Sequence, residues 1–233
     1  MNVDDFKNGQ LILIDKPLNW TSFQVVNKLR WVIRKKFNIK KIKVGHAGTL
    51  DPLATGLLII CTGKFTKKLN LLQAEIKEYT GTITLGATTP SFDLETEIDK
   101  TFPTNHLTDQ KIIDATNLFL GEIDQVPPLY SAIKKDGVRL YELARKGETT
   151  EIKSRKTTIF EFEITKIELP DVSFRVICSK GTYIRSLAND FGIALKSGAH
   201  LSALRRTKSG DYNIDDAITL EIFIEKLNNS IDN

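Results

Sequence analysis

Cysteine is nearly absent from this 233-residue chain: Cys61 and Cys178 are its only two, each inside an apolar segment. A disulfide framework is therefore not what stabilises it, and both thiols read as reduced core residues of a cytoplasmic protein. Histidine is equally sparse, with His46, His106 and His200 far apart and no CxxC pair, so there is no zinc signature and no metal site is expected. No apolar run approaches the length needed to span a bilayer, and a polar start containing Asp4 and Asp5 is wrong for a signal peptide. No GxGxxG follows a strand, which leaves a dinucleotide site unsupported, and no GxSxG offers a nucleophile elbow. Gly56 to Lys64 has the outline of a phosphate loop, but six residues separate its glycines, two more than that motif has, and Phe65 stands where Ser or Thr is needed. No cofactor is implied.

The chain is long enough to bury a sizeable core in one large domain, residues 1–233, with room for an inserted lobe. Its net charge of +4 hides an asymmetry. From Asp211 to Asn233 six acids face one lysine, a net of −5, so residues 1–210 carry +9. Between Lys28 and Lys43 eight residues are Lys or Arg and none is acidic, with Trp31 and Phe37 interleaved. A second acid-free stretch, Phe191 to Gly210, carries Lys196, Arg205, Arg206 and Lys208. Such stripes suit a polyanion gripped through its phosphates; taken singly, each is also what a solvated helix face looks like.

Patterning predicts the elements. Gln10 to Asp15 is a buried strand stopped by Pro17. Thr21 or Ser22 caps a helix to about Lys36, with Phe23, Val26, Leu29 or Arg30, and Ile33 at helical spacing. Further strands are expected at Lys40–Val44, Leu57–Cys61, Glu75–Leu85, Thr157–Glu168, Val172–Ser179 and Leu201–Lys208. Helices are expected at Thr66–Leu72, Thr108–Leu120, Arg139–Lys146, from Gly181 to Leu195, and at Asp215–Leu227. A hairpin turn is expected at Asp136-Gly137, and residues 88–106 read as loop. The mixture lacks a βαβ rhythm, which argues an α+β fold with a mixed, mostly antiparallel sheet flanked by helices.

One stretch organises the rest: Gly45-His46-Ala47-Gly48-Thr49-Leu50-Asp51-Pro52-Leu53-Ala54-Thr55-Gly56. From Ala47 to Gly63 the only charged side chain is Asp51. A lone carboxylate among apolar residues is costly unless something pairs with it, and the residue before a proline is pushed out of helical geometry. Asp51 is thus a reactive group presented on a loop, or else a turn or cap aspartate.

That stretch resembles the catalytic loop of the TruB family of tRNA pseudouridine synthases almost letter for letter. Asp15-Lys16-Pro17 with Thr21-Ser22 resembles the family's first motif. Val126-Pro127-Pro128, Ser131-Ala132-Ile133-Lys134, Gly137 and Tyr141-Glu142-Leu143-Ala144-Arg145 resemble its inserted RNA-gripping lobe, here about residues 124–152. Ser179 to Leu187 and Leu204-Arg205-Arg206 resemble the last two. Asn19 stands where the family usually has glycine, and Asn tolerates left-handed geometry well enough to keep that turn. The C-terminal RNA-binding domain many relatives carry is not expected.

The resemblance implies the pseudouridine-synthase fold and the isomerisation of a T-loop uridine of tRNA, position 55 by convention, after the base is flipped out of its stack. It makes Asp51 the nucleophile, Arg185 the cation that keeps it ionised, and Asp93 a second acid on that arginine. Tyr79 would stack on the flipped uracil, Tyr183 and Leu204 would line the pocket, and His46 would fill the space the base leaves. Lys16 is placed nearby as a structural or phosphate contact. The expected partner is the T-arm of tRNA, with no membrane and no obligatory protein.

Overall fold

The computed structural model describes residues 1–131, 133–135, 137–148 and 150–230. Its elements begin with α1 (Val3–Asn8), β1 (Leu11–Lys16), α2 (Ser22–Lys36), β2 (Val44–Ala47), β3 (Ala54–Thr62), α3 (Leu69–Ala74), β4 (Lys77–Leu85), β5 (Ala87–Thr88) and β6 (Lys100–Thr101). There follow α4 (Asp109–Ala115), β7 (Gly121–Gln125), β8 (Lys134–Lys135), β9 (Val138–Arg139), α5 (Leu140–Arg145), β10 (Arg155–Glu168) and β11 (Asp171–Cys178). The chain closes with α6 (Ile184–Ala194), β12 (Ala199–Ser209), β13 (Tyr212–Asn213) and α7 (Leu220–Asn228). Two units share this chain: Met1–Tyr79 with Leu204–Asn233, and Thr80–Ala203. Strands β4 and β12 each begin in one unit and end in the other.

In the first unit β3 is central. Its run Leu57 to Cys61 is fully buried, as a strand covered on both faces must be. Along one edge it pairs antiparallel with β1, from Leu11↔Cys61 to Lys16↔Gly56. Along the other it pairs parallel with β12 over Ala54–Gly56 and antiparallel with β2 over Ile59–Thr62. Helix α2 starts in a capping box: the Thr21 hydroxyl accepts from the Gln24 amide at 3.0 Å, and the Gln24 side chain accepts from the Thr21 amide at 2.7 Å. It lays Val25, Val26, Leu29 and Ile33 against Phe6, Ile14, Leu58 and Ile60, with Phe223 and Leu227 of α7 completing the core.

In the second unit the row is β12-β4-β11-β10-β7, with β10 antiparallel to both β11 and β7. Phe162 of β10 meets Phe174 of β11 edge-on at 6.0 Å and Phe191 of α6 at 5.3 Å, so one aromatic cluster fixes α6 on the sheet. Helix α6 buries Ile184, Leu187, Ala188 and Phe191, the stripe its spacing predicts.

The expected α+β architecture with a mixed, mostly antiparallel sheet is what forms. Several boundaries move. The strand expected at Lys40–Val44 lies at Val44–Ala47, because the motif's own Gly45-His46-Ala47 pairs with β3. Phe23 is not on the core face of α2: it is 64% exposed, and Val25 and Val32 take the buried positions. The helix expected through Leu120 becomes a 3-10 turn at Thr116, and β7 follows as an unpredicted strand. The terminal helix starts at Leu220, capped by Thr219, after a separate 3-10 turn at Ile214–Asp216. Asn19 takes φ 64°, the left-handed geometry expected of it. Both cysteines are buried. Ala132 of the lobe motif and Asp136 of the expected turn lie outside the described residues. Among the described residues no helix is long and apolar enough to cross a membrane.

Truncating the buried Leu29 to alanine is expected to cost about 2–5 kcal/mol, whereas Phe23→Ala should stay within about 0.5 kcal/mol. Chemical denaturation of the two variants separates the observed face from the one that spacing alone suggests.

Candidate active site

Asp51 sits in the excursion between β2 and β3, outside any helix or strand, as its proline neighbour requires. The Asp51 carbonyl accepts from the Ala54 amide at 3.1 Å, closing a turn around Pro52 and Leu53. Ser22, the first residue of α2, clamps the residue before it: its hydroxyl donates to the Leu50 carbonyl at 3.1 Å and accepts from the Leu50 amide at 2.8 Å. The Asn19 amide donates to the Pro52 carbonyl at 2.9 Å, so the left-handed residue that replaces glycine holds the far side of the turn.

Arg206 braces the same loop at both ends. Its side chain is 1% exposed, and it donates from Nε to the Leu57 carbonyl at 2.7 Å and from Nη2 to the Gly48 carbonyl at 3.1 Å. Gly56 has φ 101°, and a Cβ there would meet the Arg206 carbonyl oxygen at 2.3 Å, so only glycine lets β3 and β12 approach this closely. Arg206 therefore leaves the basic stripe in which its sequence context places it. Its neighbours are engaged too: Arg205 forms a forked pair with Asp15 at 3.0 and 2.7 Å, and Lys208 lies 3.8 Å from Glu78. The signal for Arg206 was available, because adjacent residues of a strand face opposite ways and only one of Arg205 and Arg206 can point outward.

Lys16 is wholly buried, which makes it structural and removes it from direct phosphate contact. Its ammonium donates to the carbonyls of Trp20 at 2.5 Å and Pro17 at 2.9 Å, and more weakly to that of Pro52 at 3.4 Å. Burial lowers its pKa from 10.5 to about 8; the Asp51 carboxylate opposes that shift and the Arg206 charge adds to it. The loop thus carries one acid and two buried cations, and the cations spend their hydrogen bonds on backbone carbonyls.

His46 lies in β2 opposite Ile60. Its pKa is lowered, mainly by burial and also by the Arg206 charge, with the Gly48 backbone opposing, so the ring is held neutral. Leu204 is half-buried and in register with Ala54, three residues beyond Asp51. Tyr79 is 9% exposed at the end of the first unit.

Asp93, Tyr183 and Arg185 belong to the second unit. Arg185 is 4% exposed, and its Nε stands 3.5 Å from Asp93 Oδ2. It also donates to the carbonyls of Ser91 at 3.2 Å and Tyr130 at 2.8 Å. Asp93 is fixed in turn: its carbonyl accepts from the Thr89 and Ser91 hydroxyls at 2.6 and 3.1 Å, and its Oδ1 accepts from the Glu95 amide at 3.0 Å. The Tyr183 backbone is held at both its N–H and its carbonyl by the Gln125 side chain, at 2.7 and 3.1 Å. Gln125 is a positioning residue that sequence reasoning missed, while Ser22 is marked in the sequence as a cap candidate and part of the first motif but not as the partner of Leu50.

Residues 34–184 match the TruB family pseudouridylate synthase N-terminal domain, and residues 185–231 match the tRNA pseudouridylate synthase B C-terminal domain. The chain belongs to the TruB family. The tRNA pseudouridine synthase B of Flavobacterium johnsoniae is 64% identical over 228 residues, 97% of this chain and 100% of that protein. The protein of the same name from Phocaeicola vulgatus is 56% identical, covering 96% and 95%. Among solved structures, a chain in a Cbf5-Nop10-Gar1 complex superposes with TM-score 0.71 at 35% identity. That match covers 94% of this chain and 54% of the other, so the chain spans about half the length of that one.

The buried Lys16 gives a pH signature. Its folded pKa, about 8, lies below the ordinary 10.5, so between these values the unfolded chain binds the extra proton and stability rises with pH. Lys16→Met is expected to remove that rise, worth about 3 kcal/mol across the window. Parallel denaturation titrations of both proteins from pH 7 to 10.5 check it.

Proposed function

We propose that this chain isomerises a uridine of tRNA to pseudouridine, acting at the T-loop position conventionally numbered 55, with Asp51 as nucleophile. The observation that carries the reading is whole-length identity of 64% to a protein named tRNA pseudouridine synthase B, with the Asp51 loop intact and braced on both sides. The reaction breaks the bond from uracil N1 to the ribose carbon and makes one from C5 to that carbon. The C5 hydrogen is lost to solvent and N1 gains a proton, so atoms and charge balance without an oxidant or an energy source.

Each side chain has a task in that sequence. Asp51 must act as an anion while shielded from water, and opposite charge nearby favours that form. Arg185, already fixed by Asp93 and two carbonyls, is the forked cation assigned to it, and Lys16 supports the anion from within the first unit. Tyr79 offers a stacking face to the extruded base, Leu204 and Tyr183 the apolar wall, and neutral His46 a flat ring to take up the space the base leaves. The T-arm is read as a folded element, by shape and phosphates rather than by sequence. The setting is cytoplasmic.

Asp51→Asn should abolish tritium release from tRNA labelled at uracil C5, a loss of at least about a thousandfold, while tRNA affinity stays within a few-fold. Full-rate release by the amide variant would refute the mechanism. The native protein should act on purified unmodified tRNA without a guide RNA or added protein, and its affinity should fall steeply with salt, since each phosphate neutralised contributes about 0.7–0.9 to the log–log slope.

A further inference from the structure

Helix α2 has a second face that the core does not use. At 3.6 residues per turn, Phe23, Arg34, Trp31, Lys35 and Lys28 fall on one arc of about 140°. Phe23 is 64% exposed and Trp31 53% exposed, although indoles rarely face water without a partner. The ammonium groups of Lys28 and Lys35 lie 5.3 and 5.0 Å from the Trp31 ring centroid, one a turn before it and one a turn after. No acid occurs in α2. Among the described residues, Lys28, Lys35, Lys40, Lys41 and Lys43 stand in no ion pair, whereas Arg145, Arg175, Arg205 and Lys208 each meet a carboxylate. Glu221 of α7 is close enough to feel Lys28, at the edge of the arc.

This face leads away from the reacting group. Ser22, at the start of α2, is bonded to Leu50 beside Asp51, and Trp31 lies nine residues further on, about 14 Å along the axis. A single flipped nucleotide does not span that distance. What reaches Trp31 is a different part of the same RNA. Stacking of a base on an indole is stronger than an exposed cation–π contact, so a base can displace a lysine from the ring and free its ammonium for the adjoining phosphate.

We propose that the outward face of α2 docks an unpaired stretch of the RNA substrate, one base stacking on Trp31 and the flanking phosphates lying on Lys28, Arg34 and Lys35. The proposal rests on the reading of this chain as an RNA-modifying enzyme, but its test needs no chemistry. A labelled single-stranded ribo-oligonucleotide of about twelve residues containing no uridine is titrated into the full chain, the Trp31→Ala and Trp31→Tyr variants, and Asp51→Asn. Trp31→Ala should weaken binding about tenfold, and Trp31→Tyr, which keeps a stacking face, should restore it to within about threefold. A blunt RNA duplex of equal length should bind more weakly and be indifferent to either change. Equal affinity of wild type and Trp31→Ala overturns the proposal. So does an equal loss with duplex RNA, heparin or anionic vesicles, which would make the face a general polyanion or membrane contact. Oligonucleotide binding that survives in an Asp51→Asn variant still active on tRNA would refute the nucleophile and leave the docking face standing.

Discussion

Everything in the first unit depends on holding a short, carboxylate-bearing loop open between two paired strands. Loop backbone with buried carbonyls needs hydrogen-bond donors, and a loop that presents one anion is best served by donors that also carry positive charge. Arg206 and Lys16 are both. Arg206 takes the carbonyls of Gly48 and Leu57, on either side of Asp51, while Lys16 takes those of Pro17, Trp20 and Pro52. Both cations give these hydrogen bonds to carbonyls rather than to a carboxylate, and the Lys16 charge interacts with Asp51. The cost shows in Lys16, whose burial pulls its pKa down to about 8.

The same device recurs in the second unit with the roles exchanged. Arg185 does meet a carboxylate, that of Asp93, but through Nε, and it spends its terminal nitrogens on the carbonyls of Ser91 and Tyr130. A guanidinium tied at three points cannot swing, and a fixed charge is worth more in a reaction than a mobile one because no reorganisation is needed when charge develops. The backbone before it is fixed as well, through the paired hydrogen bonds of Gln125 with Tyr183.

Much of this was legible in the sequence, and for identifiable reasons. Strands β10 and β11 and helices α2 and α6 carry clear periodicity, β1 is a Leu/Ile run stopped by Pro17, and local signals suffice there. The α+β class followed from their order. The isolation of Asp51 in a long uncharged stretch singles the loop out but leaves a turn aspartate open, and the resemblance to the TruB catalytic loop is what favours a reactive group. What escaped was set by tertiary pairing: β2 takes its register from β3, and β7 exists because β10 offers it an edge. Phe23 was misplaced because helical spacing admits two neighbouring faces and only packing against Phe6, Ile14 and Ile60 selects between them. The partners of the braces were invisible for a similar reason. Ser22 and Leu50 are 28 residues apart, and Arg206 and Gly48 are 158 apart, separations at which spacing carries no information.

The division of positive charge follows from the same accounting. Residues 1–210 carry a net +9, and by composition alone any of their basic stretches suits a polyanion. Folding sorts them. Lys16, Arg185 and Arg206 turn inward and serve carbonyls, and Arg145, Arg205 and Lys208 are matched by Glu95, Asp15 and Glu78. An arginine already forked onto an aspartate has little to give a phosphate, since its donors and its field are both committed. Among the described residues, Lys28, Lys35, Lys40, Lys41 and Lys43 meet no carboxylate, and Lys28 and Lys35 flank an exposed indole on a helix without acids. Positive charge that meets no carboxylate is thus gathered on and just after α2, the helix whose first residue, Ser22, hydrogen-bonds Leu50 beside Asp51.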